Sequence, residues 1–185
     1  MLFRSLTISY LVGLRDAGCA HELMQDLVSR LASRVQLTTD GLGVYLNAVD
    51  GAFGSEIDYA TLVKIYGAAS TEDARRYSPA KYVGATAATI TGNPDRKHVS
   101  TSYVERSNLT MRMGMRRFTR LTNGFSKKVE NLCHAVALYA MHYNFCRVHQ
   151  TLRVTPALEA GLTDHVWEIE EIVALLNKKV VDSAA

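Results

Sequence analysis

Between Ser5 and Tyr66 the hydrophobic residues switch repeatedly between two spacings, and that alternation limits the fold more than any other feature of the chain. Ser5–Val12 (SLTISYLV) is rich in β-branched and aromatic residues and stops at Gly13, which predicts a strand. Asp16 then caps a helix whose core stripe is Ala20, Leu23, Met24, Leu27 and Leu31, ending near Ser33. VQLTT, with Val35, Leu37 and Thr39 alternating, predicts a second strand that runs into Asp40-Gly41. Leu42, Tyr45, Leu46, Val49 and Phe53 return to helical spacing before Gly54, and Ile57–Tyr66 (IDYATLVKIY) predicts a third strand. Strand, helix, strand, helix, strand is the pattern of an α/β domain with some parallel pairing.

The remainder reads as follows. Residues 68–97 are small and polar, hold Pro79 and Pro94, and predict a long loop with a short hairpin around ATAATITGN. Ser126 is placed to cap a helix carrying Val129, Leu132, Cys133, Val136, Ala140 and Tyr143. RVHQTL follows as a turn, Thr155-Pro156 opens a short helix that Gly161 ends, and Trp167, Ile169, Ile172, Val173 and Leu176 mark a last amphipathic helix. The 185 residues suit one domain over 1–177, with 178–185 as a frayed tail.

Composition narrows the class. With 48% hydrophobic and 21% charged residues, the chain has the make-up of a globular protein. No apolar run reaches membrane-spanning length, and MLFRSLTISYLVG lacks a signal-peptide cleavage site, so a cytoplasmic protein is expected. Cys19, Cys133 and Cys146 are odd in number and form no CxxC, as free thiols in a reducing compartment would be. The net charge of +3 conceals a polarised distribution: nine of the 21 Lys and Arg, but only one of the 18 acids, fall between Arg96 and Lys128. That acid is Glu105.

On a helix over Val104–Met113, Glu105, Asn108, Arg112 and Arg116 share one stripe, although Gly114 weakens the helix before Arg116. A carboxylate followed by an amide and guanidinium groups suits a divalent ion beside a phosphodiester. A solvated face in which Glu105 pairs with Arg106 or Arg112 has the same spacing. Asp40, at the C-terminal end of a strand, lies where open α/β sheets place functional groups; Asp-Gly is equally a turn dipeptide. The six histidines are scattered without ligand spacing, so zinc has no support, and neither GxxxxGK[ST], GxGxxG nor GxSxG occurs.

The blocks STSYVERSNLTMRMGMRRFTRLTN, YNFCRVHQTL and VTPALEAG, with VQLTTDG upstream, resemble bacterial insertion-sequence transposases of the DDE type, in the group related to the first-numbered insertion sequence. The resemblance runs from about Leu11 to Val173. It implies an RNase H-like, integrase-core fold: a mixed sheet with helices and a helical C-terminal part. It also implies Asp40 as the second catalytic Asp and Glu105 as the helix-borne catalytic Glu, together holding Mg²⁺ (or Mn²⁺) for DNA strand cleavage and transfer. Asn108, Arg112, Arg116, Arg117, Arg120, Lys127 and Lys128 would lie along DNA, and Arg147, His149 and Gln150 would pack near the site or touch a DNA phosphate. Transposon ends and target DNA are the implied partners, with a homo-oligomer possible, no membrane, and a nucleoid-associated location.

One departure stands out. The family's first Asp lies on a strand upstream of SLTISYLV, where this chain has only Met1–Arg4 and no acid. The expectation is an N-terminally truncated core with its first strand missing, inactive alone because two-metal chemistry needs a third carboxylate. The competing expectation is a non-catalytic remnant that binds DNA or poisons full-length subunits.

Overall fold

A computed structural model describes residues 5–67, 81–119 and 123–182. They form a mixed α/β protein that divides into two compact units, Gly13–Ser102 and Met1–Val12 with Tyr103–Ala185.

The first unit contains helix α1 (Ala17–Ser29), strand β1 (Gln36–Thr39), helix α2 (Val44–Phe53) and strands β2 (Asp58–Tyr66) and β3 (Tyr82–Thr91). Asp16 caps α1 as expected, its side chain accepting from the Cys19 N–H at 2.8 Å. The helix stops at Ser29, one turn short of the expected end near Ser33. There Arg30 ties back to Asp26 across one turn, and the backbone N–H groups of Arg30 and Leu31 make tighter closing bonds. α2 ends at Gly54 with φ +52°, a conformation that favours glycine.

The sheet order is β1-β2-β3. β1 and β2 run parallel, Gln36 opposite Asp58 and Thr39 opposite Thr61, and α2 makes the crossover a parallel pair requires. β3 is antiparallel to β2. The core is Ala20 and Met24 of α1, Ala48, Val49 and Phe53 of α2, and Ile57 and Tyr59 at the head of β2. Burial is concentrated at that end: β2 is buried at Tyr59, Ala60 and Thr61, and β3 is exposed along nearly its whole length.

β3 corrects the sequence reading, which gave residues 68–97 as a loop with a short hairpin. Gly84 and the alanines dilute its periodicity, and pairing with β2 creates the strand. Residues 68–80 of that loop lie outside the described ones. Beyond β3, Gly92 (φ +69°) turns the chain over a clamp in which Arg34 donates to both Asp58 carboxylate oxygens and to the Ser55 and Ile57 carbonyls. The Asn93 N–H also donates to Asp58 Oδ1 at 2.8 Å. Arg34 is the first cause of an Asp58 carboxyl held below the usual carboxylate range.

The second unit contains helices α3 (Ser102–Gly114), α4 (Val129–Met141), α5 (Pro156–Glu159) and α6 (Ile169–Asp182). α4 runs on through one wide turn, His142–Cys146, closed by Arg147 N–H donating to His142 C=O at 2.9 Å. α4, α5 and α6 all pack on that turn. Tyr143 and Asn144 are buried there, and Phe145 packs on Trp167 with ring centroids 4.7 Å apart. Thr155 caps α5 with Pro156 behind it, as the sequence indicates. The expected Ser126 cap does not form: Lys128 occupies the cap position of α4, and the Ser126 hydroxyl accepts from Arg117. α6 continues through Asp182, and residues 183–185 lie outside the described ones.

Ser5–Val12 is not a strand. A β-rich run becomes a strand only beside another strand. Here Thr7 finds the side-chain amide of Asn144 instead, its N–H donating to Oδ1 at 3.0 Å and its carbonyl accepting from Nδ2 at 2.9 Å.

Ahead of α6, His165 sits between two carboxylates, Nδ1 2.6 Å from Asp164 and Nε2 2.8 Å from Glu171. Asp164 first and then Glu171 hold the imidazole above its ordinary value, while both carboxyls are held down. The stabilisation is therefore full below the ordinary histidine value of about 6.5 and disappears as pH rises through the raised one. On the acid side it disappears as pH falls through the depressed carboxylate values. We expect His165→Gln to lower unfolding stability at pH 5.5 and to be nearly neutral at pH 9. Equal losses at both pH values in urea titrations would disprove the charged contacts of His165 with Asp164 and Glu171.

Candidate nucleic-acid interface

Asp40 follows directly on β1. Its position is set by a buried chain of hydroxyls: Tyr59 Oη lies 2.7 Å from Thr39 Oγ1, which donates to the Asp40 carbonyl at 3.1 Å. Burial pushes the Tyr59 phenol up, so it stays neutral and able to donate. Tyr59→Phe removes the first link of this chain. The expected loss is about 1–2 kcal/mol in a urea unfolding experiment, and a loss below about 0.3 kcal/mol would disprove the chain's importance.

The Asp40 side chain is exposed. Its Oδ1 accepts from the Leu42 N–H at 3.1 Å, and its Oδ2 lies 3.9 Å from Arg15. The first contact is the turn role that Asp-Gly also allowed. Gly41 passes close over the sheet, where a Cβ would stand 2.7 Å from Val63 Cγ2. A groove of about 350 Å³ lies nearby between α1 and α2, lined by Ala17, His21, Gly43, Val44, Asn47 and Ala48, and Asp40 does not line it.

Glu105 stands in the first turn of α3 and Arg112 in its last, the polarity a helix dipole favours. At about 100° per residue, Glu105, Asn108 and Arg112 share one face. The structure leaves all three exposed. The opposite face carries the half-buried Ser107, Thr110 and Met111, and Gly114 meets the Tyr139 ring, where a Cβ would lie 3.2 Å from Cε2. The stripe therefore points outward by construction. Arg116 does not continue it: α3 ends at Gly114, and Arg116 lies on a separate turn, Arg116–Phe118. Gly114 is the physical reason, since glycine is a poor helix former and the next residue, Met115, is extended.

Arg116, Lys127 and Lys128 are exposed, and Arg117 is exposed with one donor on Ser126. Arg120 lies outside the described residues. Among the described residues, ion pairs involve Arg15, Arg30, Arg34, His98 and His165, and none involves Arg112 or Arg116. Arg147 and Gln150 are exposed. His149 turns inward, its ring edge-on to Tyr143 at 5.0 Å and its Nε2 buried. Burial, and then Arg147, pushes that imidazole below its ordinary value. Sequence reasoning missed Asn144, which anchors Thr7; the available signal was an amide set beside the apolar stripe of α4.

Asp40 belongs to the first unit and Glu105 to the second. Among the described residues no three His, Cys, Asp or Glu side chains gather as a metal-binding group. What the arrangement does offer is exposed cations along α3 and the segment after it. Comparisons with protein-family models, curated proteins and solved structures return no match for this chain. Among the described residues no helix is long and apolar enough to cross a membrane.

Proposed function

We propose that this chain is a DNA-binding protein of insertion-sequence transposase descent, and that it holds DNA through the outward face of α3 and the basic residues that follow. The observation that carries this reading is the exposed Asn108–Arg112 face of α3, followed in the chain by exposed Arg116, Arg117, Lys127 and Lys128, with no carboxylate partner for Arg112 or Arg116 among the described residues. Exposed guanidinium and ammonium groups bind phosphates by releasing counterions, a term independent of sequence. The parallel β1–α2–β2 unit with an acid at the end of β1 supports an RNase H-like ancestry. The resemblance adds Mg²⁺ or Mn²⁺ at Asp40 and Glu105. Among the described residues no three His, Cys, Asp or Glu side chains gather as a metal-binding group, so no cleavage step is assigned.

The test is fluorescence anisotropy of a labelled duplex across a salt series, with the purified chain. Affinity is expected to fall steeply as salt rises. Absence of binding at low salt would overturn the proposal. Mg²⁺-dependent nicking of supercoiled DNA that a Glu105→Gln variant lacks would replace it with a catalytic function.

A further inference from the structure

We infer that the outer edge of β3 is a self-pairing surface, on which a second copy of this chain adds its own β3 antiparallel. β3 is the last strand of the sheet, ten residues long and exposed at all but Gly84 and Thr91. Its outer edge has no strand neighbour among the described residues. An edge offers backbone donors and acceptors, so what it takes is a strand.

The composition of the edge selects which strand. From Tyr82 to Asn93 no side chain carries a charge, and no proline or inward charge guards the strand. The sheet's other edge is different: β1 is four residues long, with Arg34 shortly before it and Asp40 directly after. A second β3 meets the first without desolvating an ionised group or opposing like charges. It is of equal length, and an antiparallel pair over ten residues exchanges on the order of ten backbone hydrogen bonds, the number an ordinary interface carries. The twofold arrangement uses both β3 edges at once and closes, leaving only the short, charged β1 edges. Apolar side chains of β3 and its neighbour β2 add to the patch: Tyr82, Val83 and Ile90 of β3 and Val63 and Ile65 of β2 are each between 45% and 66% exposed.

The experiment is light scattering coupled to gel filtration on nucleic-acid-free protein over a concentration series, for the wild type and for Ala85→Lys/Ala87→Lys. The wild type is expected to pass from monomer to dimer. The variant, with four ammonium groups brought to one paired edge, is expected to stay monomeric with an unchanged circular dichroism spectrum. A wild type that is monomeric throughout, or a variant that dimerises as well as the wild type, overturns the inference. Should the lysines unfold the chain, single cysteines placed in turn at residues 84–89 of a chain with Cys19, Cys133 and Cys146 replaced by Ser decide the matter. Disulfide-linked dimers are expected to peak at the position nearest the twofold axis and to fall off on either side, and no cross-linking at any of the six overturns it.

Discussion

Replacing Gly92 by alanine is expected to destabilise the first unit by on the order of 2–5 kcal/mol. Two effects add. At φ +69° an L side chain is strained, which by itself costs about 1–2 kcal/mol. The new Cβ would also overlap Asp58 Oδ1 and stand 2.6 Å from Arg34 Nη2 and 2.7 Å from the Ile57 carbonyl. These atoms belong to the clamp that joins the start of β2 to the residues before β1 and to the turn after β3, so the methyl group cannot be accommodated by one side chain stepping aside. Since a domain's total stability is only about 5–15 kcal/mol, much of this unit's stability would be lost. Gly43→Ala is the control: nothing lies within 4 Å of its Cβ position, and a change below about 1 kcal/mol is expected. Urea midpoints for the two variants decide it. Equal midpoints would show that the clamp does not hold the sheet together.

Reversing Arg112 and Arg116 to glutamate is expected to abolish most DNA binding at moderate salt. If each arginine neutralises one phosphate, the slope of log affinity against log salt becomes shallower by about 2. The loss should be the same for unrelated duplex sequences, because phosphate contacts carry no base information. Arg30→Glu serves as a charge control in the other unit, where Arg30 is already paired with Asp26 at 2.7 Å. It should leave the slope nearly unchanged. A slope that Arg30→Glu reduces as much as the double variant does would mean that net charge, and not the positions of Arg112 and Arg116, governs binding.

The two variants test different kinds of information. Gly92 could be read from the sequence only as part of the short hairpin around ATAATITGN; the reason it must be glycine is a carboxylate and a guanidinium brought there from residues 58 and 34. The α3 face, by contrast, was legible as spacing. Glu105, Asn108 and Arg112 recur at helical intervals, and nothing more than the helix is needed to put them on one side. Arg116 was assigned to the same stripe because spacing alone carries the period through Gly114, whereas the backbone breaks there.

Local chemistry was thus determined by the sequence itself: the Asp16 and Thr155 caps, the Gly54 stop and the outward stripe of α3. Each depends on residues a few positions apart, or on a hydrophobic period that only one element can bury. Tertiary structure alone decided the rest. Ser5–Val12 has strand composition, but its Thr7 bonds to the Asn144 amide rather than to another strand, and the segment forms no ladder among the described residues. β3 has weak strand composition and becomes one because β2 supplies the ladder. Backbone hydrogen bonds across a sheet join residues far apart in the chain, so whether a β-rich run has a neighbour is settled only when the chain is folded.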